Sequence, residues 1–304
     1  MKRVLSAVVL IPLVLLLVFK AHPAFFLLAL GGVSYFCVRE FVDLAKGHGL
    51  RPLETLLLGF VLIPFLAPPL VSFPLGVGYL ASRFFYLFYL SSPFAFLVTA
   101  MFRKNLREAL PDAAVSLLGL LYIGIGLYSV WFLRSLGDDG SVLVLCLLLI
   151  VWSGDISAYY VGTYLGRRKL VPRISPNKTW EGAIASFVVA TSLGSAMLLH
   201  FDLIFNWLLS HNLVLVSGEV YQQRPLEGFP TWFIFCSAAI INVAAQLGDL
   251  AESAMKRGAN VKDSGNLLPG HGGVLDRVDA LLFAGPAAML VFDLGREIFA
   301  GVFP

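Results

Sequence analysis

Charge is what this sequence has least of. Lysine, arginine, aspartate and glutamate make up only 13% of its 304 residues, whereas 58% are hydrophobic, with a mean hydropathy of +0.83. A soluble domain is nearer a quarter charged, so a water-soluble globule is excluded and a membrane protein is implied. Cysteine is also scarce. Cys37, Cys146 and Cys236 stand alone in apolar segments, without CxxC or Cys/His spacing. This argues against a disulfide framework or a zinc site and predicts buried thiols acting as small apolar residues. The net charge of +3 does not indicate nucleic-acid binding. Internal repeats and low-complexity linkers are missing too. No small-x-small cleavage pattern closely follows the first apolar run, so Met1–Phe19, led by Lys2 and Arg3, reads as a retained helix rather than a signal peptide.

What is present is a succession of hydrophobic runs of the length needed to cross an apolar core of roughly 30 Å. They predict an all-α integral membrane protein: a polytopic bundle of about nine transmembrane helices with a cytoplasm-facing polar cavity. The spans are placed at 4–19, 23–45, 54–73, 84–102, 113–133, 141–165, 180–200, 232–257 and 279–300. Pro64, Pro68 and Pro69 predict a kink or break in the third. Within 201–231, Leu203 to Leu209 predicts a short interfacial helix. Residues 1–112 form an N-terminal region of about four helices, and 113–304 carry the motifs that point to chemistry. With the N-terminus in the cytoplasm, all but five cations (Lys20, Arg83, Arg134, Arg224 and Arg296) lie at cytoplasmic ends. This satisfies the positive-inside rule and puts the two most polar loops, 166–179 and 256–278, on the same side.

Acids inside membrane helices are costly and therefore functional candidates. Asp155 lies in the sixth span, within Trp152–Tyr160, and Asp249 in the eighth. Asp249, Glu252, Ser253 and Lys256 fall at i, i+3, i+4 and i+7 and so share one helical face. An internal salt bridge holding the bundle together is the plain alternative. The chain continues to Asp279 through Lys256, Arg257, Lys262, Asp263, a Pro-Gly-His-Gly-Gly turn at 269–273, Asp276 and Arg277. Lys256, Arg257, Lys262 and Arg277 suit polyphosphate, arginine offering forked bonds to phosphate oxygens. Gly270, Gly272 and Gly273 allow backbone amides to approach an anion. Carboxylates among these cations suit a hard divalent ion such as Mg²⁺. Asp276 and Asp279 open the ninth helix at i and i+3, so one can face a metal held by Asp249 while the other caps the helix or orients Arg277. Singly, each feature has a bland reading: a tight interhelical loop, a structural His271, a basic loop that only sets topology. Their conjunction within about 30 residues does not. A second polar loop contains Ser175-Pro176-Asn177-Lys178, read as a turn, with Thr179 as helix cap and Glu181 in the first turn. That places Lys178 at a helix N-terminus, where anions bind.

These residues resemble a known family. Ser253 to Asp279 fits the phosphatidate cytidylyltransferase signature S-x-x-K-R, then K-D, then P-x-H-G-G and D-R-x-D. Asp155, Ala158, Tyr159, Gly162 and Gly166, and Ser-Pro-Asn-Lys-Thr-Trp-Glu-Gly at 175–182, are similar to the family's other recurring blocks. The resemblance covers about the C-terminal half; the N-terminal half shares only its hydrophobicity, and the 201–231 connection is long for the family. The resemblance implies a homodimeric enzyme of phospholipid biosynthesis in a bacterial-type inner membrane. Its cavity would take CTP from the cytoplasm and phosphatidate from the bilayer, giving CDP-diacylglycerol and pyrophosphate. It implies Mg²⁺, with a monovalent ion such as K⁺ as a second ion, and makes Asp249 and Asp276 metal-holding carboxylates, with Asp279 in support. Lys178, Ser253, Lys256, Arg257, Lys262, Gly272, Gly273 and Arg277 are the expected substrate and phosphate contacts. Asp263 and His271 would order the loop or assist departure of pyrophosphate, with Asp155 behind the metal site. A CTP-dependent lipid kinase attacking the γ-phosphorus, and a transporter relaying ions through its membrane acids, are the competing readings. The motif spacing disfavours the first. The gathering of polar groups at one face, without a repeat, disfavours the second.

Overall fold

The computed structural model describes residues 2–71, 78–137, 139–214, 226, 228–267 and 272–299, the side chains of 2–9, 67–71 and 78–86 excepted. Eleven α-helices follow in order: α1 (Lys2–Phe19), α2 (Pro23–Gly47), α3 (Glu54–Val71), α4 (Gly78–Ala100), α5 (Leu106–Gly119), α6 (Gly126–Arg134), α7 (Gly140–Tyr164), α8 (Trp180–Leu199), α9 (Phe201–Ser210), α10 (Thr231–Gly258) and α11 (Leu275–Phe299). A π-helical turn, Leu120–Ile125, joins α5 to α6 without a break. One antiparallel hairpin, β1 (Lys169–Val171) and β2 (Ser175–Thr179), interrupts the helices. Helices dominate because lipid offers no partner to a backbone amide, so each span must satisfy its own. Among the described residues, α2, the Leu106–Arg134 run, α7, α8, α10 and α11 are long and apolar enough to cross a membrane.

Within the described residues each of the nine expected spans falls on helix, positions 72, 73 and 300 lying outside them, and the short helix expected at 203–209 is α9. Three expectations are corrected. The third span, expected to be kinked or broken, is not broken: α3 is helical from Glu54 through Pro64, Pro68 and Pro69 to Val71. Ser175–Lys178 is not a turn but most of β2, whose pairing to β1 supplies the backbone partners that a turn would have lacked. Cys236 is exposed on α10, whereas Cys37 and Cys146 are buried as expected.

The chain packs as two compact units. One comprises Met1–Pro23, Ser129–Ala254 and Asp279–Pro304; the other comprises Ala24–Tyr128 and Met255–Val278. In the first, α7 and α8 form the most extensive helix pair. They approach closely at Gly154, where a Cβ would lie 2.6 Å from Asn242 Nδ2 and 2.8 Å from Ser186 Oγ. A buried polar ladder uses that space. Asn242 Nδ2 donates to Ser186 Oγ (3.2 Å), and Gln246 Nε2 donates to Asn242 Oδ1 (2.7 Å). Inter-helix hydrogen bonds of this kind fix register where the hydrophobic effect between helices is weak.

In the second unit the core is made by Cys37, Val38 and Phe41 of α2, Leu57, Val61 and Phe65 of α3, and Ile123 of the π turn, all nearly inaccessible. Its buried Asp112 is tied to backbone and to an arginine. Asp112 accepts from Arg51 N (2.9 Å) and pairs with Arg103 (3.1 Å), while Ser116 Oγ accepts from Leu53 N (2.8 Å). Asn105 caps α5, accepting from Arg107 N and donating to Glu108 Oε1, a reciprocal arrangement close to a capping box.

Candidate active site

In the first unit α7, α8, α10 and the hairpin line a cavity of about 570 Å³. Asp155 enters it from α7, Lys178 from β2, and Gln246 and Asp249 from α10, with Tyr159 and Asn177 on the wall. Lys178 Nζ lies 2.6 Å from Asp249 Oδ2. Ser253 Oγ, one turn on, donates to Asp249 Oδ1 at 3.5 Å. The hairpin aims Lys178. Thr179 has the extended backbone of an N-cap and accepts from Gly182 N, so the strand stops and α8 starts within one residue of the lysine. Glu181 folds back to accept from Arg167 N (3.1 Å) and Arg168 N (3.2 Å), closing the base of the hairpin. Asp249, Glu252, Ser253 and Lys256 all lie on the uninterrupted α10, as expected; Asp249 faces the cavity and Glu252 is buried.

In the second unit Met255–Val278 is organised around one ion pair. Lys256 Nζ lies 2.5 Å from Asp276 Oδ1, with side chains 12% and 6% exposed. Asp276 Oδ2 accepts from Ser264 N (2.9 Å), Ser264 Oγ (3.0 Å) and Gly273 N (2.8 Å). Gly272 has φ +77°, and a Cβ there would lie 2.5 Å from Asp276 Oδ2. The glycine therefore serves a left-handed turn and a close approach together. The amide of Gly273, expected to face a phosphate, is bonded to Asp276. Arg257, Lys262, Asp263 and Arg277 are exposed, and Arg257 Nη1 donates to Val261 O at 3.2 Å. Asp279 belongs to the first unit, where its Oδ1 accepts from Ala280 N. Gly270 and His271 lie outside the described residues.

Two features were not read from the sequence. One is the Asn242–Gln246 ladder, whose signal is two amides at i and i+4, three residues before Asp249. The other is Glu40 of α2, an acid in a run otherwise read only as hydrophobic. It accepts from Ser264 Oγ (2.7 Å), Val274 N (2.8 Å) and Leu275 N (2.8 Å).

Among the described residues no three His, Cys, Asp or Glu side chains gather to hold a metal. Mg²⁺ does not require such a cage, since it takes one or two carboxylates with substrate phosphates and water. Asp155 and Asp249, lining one cavity, fit that need. Asp276 has donors on both oxygens and would meet a cation only where Lys256 now sits.

Among the described residues, six helices long and apolar enough to cross a membrane, three of which line a cavity holding two carboxylates and a lysine, mark a multi-pass membrane protein. The chain belongs to the cytidylyltransferase family, whose profile matches residues 1–294. Three relatives are named phosphatidate cytidylyltransferase. That of Haemophilus influenzae is 32% identical over 297 residues, 94% of this chain and 96% of the relative. That of Brucella abortus (strain 2308) is 42% identical over 182 residues, 60% of this chain and 57% of the relative. That of Bacillus subtilis is 38% identical over 169 residues, 56% of this chain and 54% of the relative. The matched part thus spans little more than half the length of the Brucella and Bacillus relatives.

Proposed function

We propose that this protein transfers CMP from CTP to phosphatidate, forming CDP-diacylglycerol and pyrophosphate for phospholipid synthesis. The observation that carries the reading is the lysine–carboxylate pair in a cavity among membrane-crossing helices. Lys178 and Asp249 are the two halves that a metal–polyphosphate complex would separate, cation to phosphate and carboxylate to metal. A phosphate oxygen of phosphatidate attacks the α-phosphorus of CTP. The bond from that phosphorus to the bridging oxygen breaks, and pyrophosphate leaves with the electron pair. The nucleophile is already ionised at neutral pH, so no strong base is needed, and repulsion between two polyanions is the main barrier. The chain's contribution is therefore positioning and charge neutralisation.

Lys178 takes a phosphate oxygen; Arg257, Lys262 and Arg277, exposed in the second unit, are the other cations assigned to phosphate. Asp249, with Asp155 on the same cavity, would hold Mg²⁺; when bound, the ion neutralises charge building on the phosphates. Asp276 and Asp279 are the other carboxylates assigned to metal binding, Asp276 through Oδ1 in exchange for Lys256. Asp263 and His271 are assigned to the loop and to pyrophosphate departure, and a monovalent ion such as K⁺ is the proposed second ion. The charge bias supports nine spans in an inner membrane with N-terminus and site cytoplasmic, and the family resemblance supports a homodimer.

The test is product analysis with purified protein, CTP, phosphatidate and Mg²⁺, beside Asp249→Asn and Asp276→Asn. CDP-diacylglycerol and pyrophosphate should form in equal amounts. Each substitution should cost at least a hundredfold in kcat, as should chelation of the divalent ion. Release of CDP with a phosphorylated lipid alcohol would make the protein a kinase instead.

A further inference from the structure

We propose that Glu40 is a positioning residue for the Lys256–Asp276 pair, through which helix α2 holds that pair in its working geometry. The inference rests on the cytidylyltransferase reading above and concerns a part of the chain to which that reading gives no role.

Glu40 is only 8% exposed. A buried carboxylate is costly unless its oxygens are well bonded, and these are. Oε1 accepts from Val274 N, while Oε2 accepts from Leu275 N and from the Ser264 hydroxyl. Val274 and Leu275 stand at the start of α11, where unpaired amides and the helix dipole favour a negative group. The carboxylate therefore caps this helix from another element, and Asp276, one residue further on, is fixed by the same cap.

The Ser264 hydroxyl links the two carboxylates. Its oxygen lies 2.7 Å from Glu40 Oε2 and 3.0 Å from Asp276 Oδ2. One hydroxyl proton serves one acceptor at a time, so Ser264 couples the carboxylates rather than saturating both. Asp276 Oδ1 meets Lys256. The path from Glu40 to the paired lysine is thus one hydroxyl and one carboxylate long.

The backbone is shaped around Glu40. A Cβ on Gly265 would lie 2.6 Å from Oε1, and one on Gly273 would collide with Oε2 and with Ser264 Oγ. Gly265 and Gly273 thus clear space for a side chain from α2. The end of the same helix grips the segment again: His48 Nε2 lies 2.8 Å from Met255 O, next to Lys256, and a Cβ on Gly47 would lie 2.8 Å from Ala259 Cβ. A helix in contact at both ends of a motif segment, with its one buried carboxylate at the centre, acts as that segment's template.

The experiment compares purified wild type, Glu40→Gln, Glu40→Asp, Ser264→Ala, Asp276→Asn and the Glu40→Gln/Asp276→Asn double variant. It reads kcat, KM for CTP and the thermal midpoint. Glu40→Gln keeps the shape but turns an amide donor toward donors, and should lower kcat ten- to a hundredfold, the scale of a misplaced catalytic group. Ser264→Ala should lower it about tenfold in protein of wild-type midpoint, and Glu40→Asp should recover part of the Glu40→Gln loss. The double variant should be no slower than Asp276→Asn alone, because both changes disable one unit. Wild-type kcat in Glu40→Gln and Ser264→Ala, or a double variant as slow as the product of the single losses, would overturn the inference. If Glu40→Gln does not fold, Ser264→Ala decides alone. Absence of CDP-lipid from the wild type itself would sink the functional reading instead.

Discussion

The Lys178–Asp249 and Lys256–Asp276 pairs are alike in chemistry and opposite in setting, and the difference sets what each should do. Lys178–Asp249 is open to the cavity, with side chains 27% and 34% exposed. Ion pairs in such settings contribute roughly 1 kcal/mol or less, because water competes for both partners. Lys256–Asp276 is largely buried, and removing one partner of such a pair leaves a charge without compensation, at about 3–5 kcal/mol. Lys178→Met should therefore leave the thermal midpoint in detergent within about two degrees of wild type while lowering kcat/KM for CTP at least tenfold. Lys256→Met should lower both midpoint and activity. Equal midpoint losses from the two substitutions would show that the buried pair is not the structural one. Asp249 was legible in the sequence as a candidate because an acid in a membrane helix is conspicuous, and Lys178 because it stands just before a helix N-terminus. Glu40 was not: it lies near the end of its span beside Arg39, where charge usually marks the interface, and its partners stand more than 220 residues away.

At the scale of elements, hydropathy located the helices well and their ends poorly, for identifiable reasons. The helix opened at 113 in the sequence reading begins at Leu106, because Asn105 and Glu108 cap it locally before the apolar run starts. The ninth predicted helix begins at Leu275 rather than 279, because its first amides are satisfied by Glu40, a partner no local pattern contains. The hairpin at 169–179 was missed because its strands are three and five residues long, without alternation, and one carries Pro176. This hairpin and the cap that follows it set where Lys178 points. Thr179→Val keeps the strand-favouring shape and removes the oxygen that accepts from Gly182 N. The lost cap should cost about 1 kcal/mol, seen as a small fall in midpoint. Activity should fall further than that loss explains, toward the Lys178→Met level, because the start of α8 no longer fixes the lysine. Full activity at a lowered midpoint would mean that the strand pairing alone positions Lys178.

For the whole molecule the distribution of charge carries the argument. Placed on the nine expected spans, the cations collect at alternate ends, and such asymmetry orients a multi-pass protein as it inserts. The α8 segment gives a local test, because it is long and apolar enough to cross, and residues before and after it stand at its two ends. Arg173, in the loop between β1 and β2, is exposed, and so is Asn212, beyond α9. Single cysteines at these positions, in a background with Cys37, Cys146 and Cys236 replaced, should answer differently to a membrane-impermeant maleimide. Arg173→Cys should be labelled only from the cytoplasmic face, in inverted vesicles, and Asn212→Cys only from the outer face, in spheroplasts. Labelling of both from one face would mean that α8 does not cross, and the alternating assignment of every later loop would shift with it. Labelling on opposite faces but with the sides exchanged would keep the count and invert the molecule. The lysine–carboxylate cavity would then open away from cytoplasmic CTP, so the proposed reaction requires the first outcome.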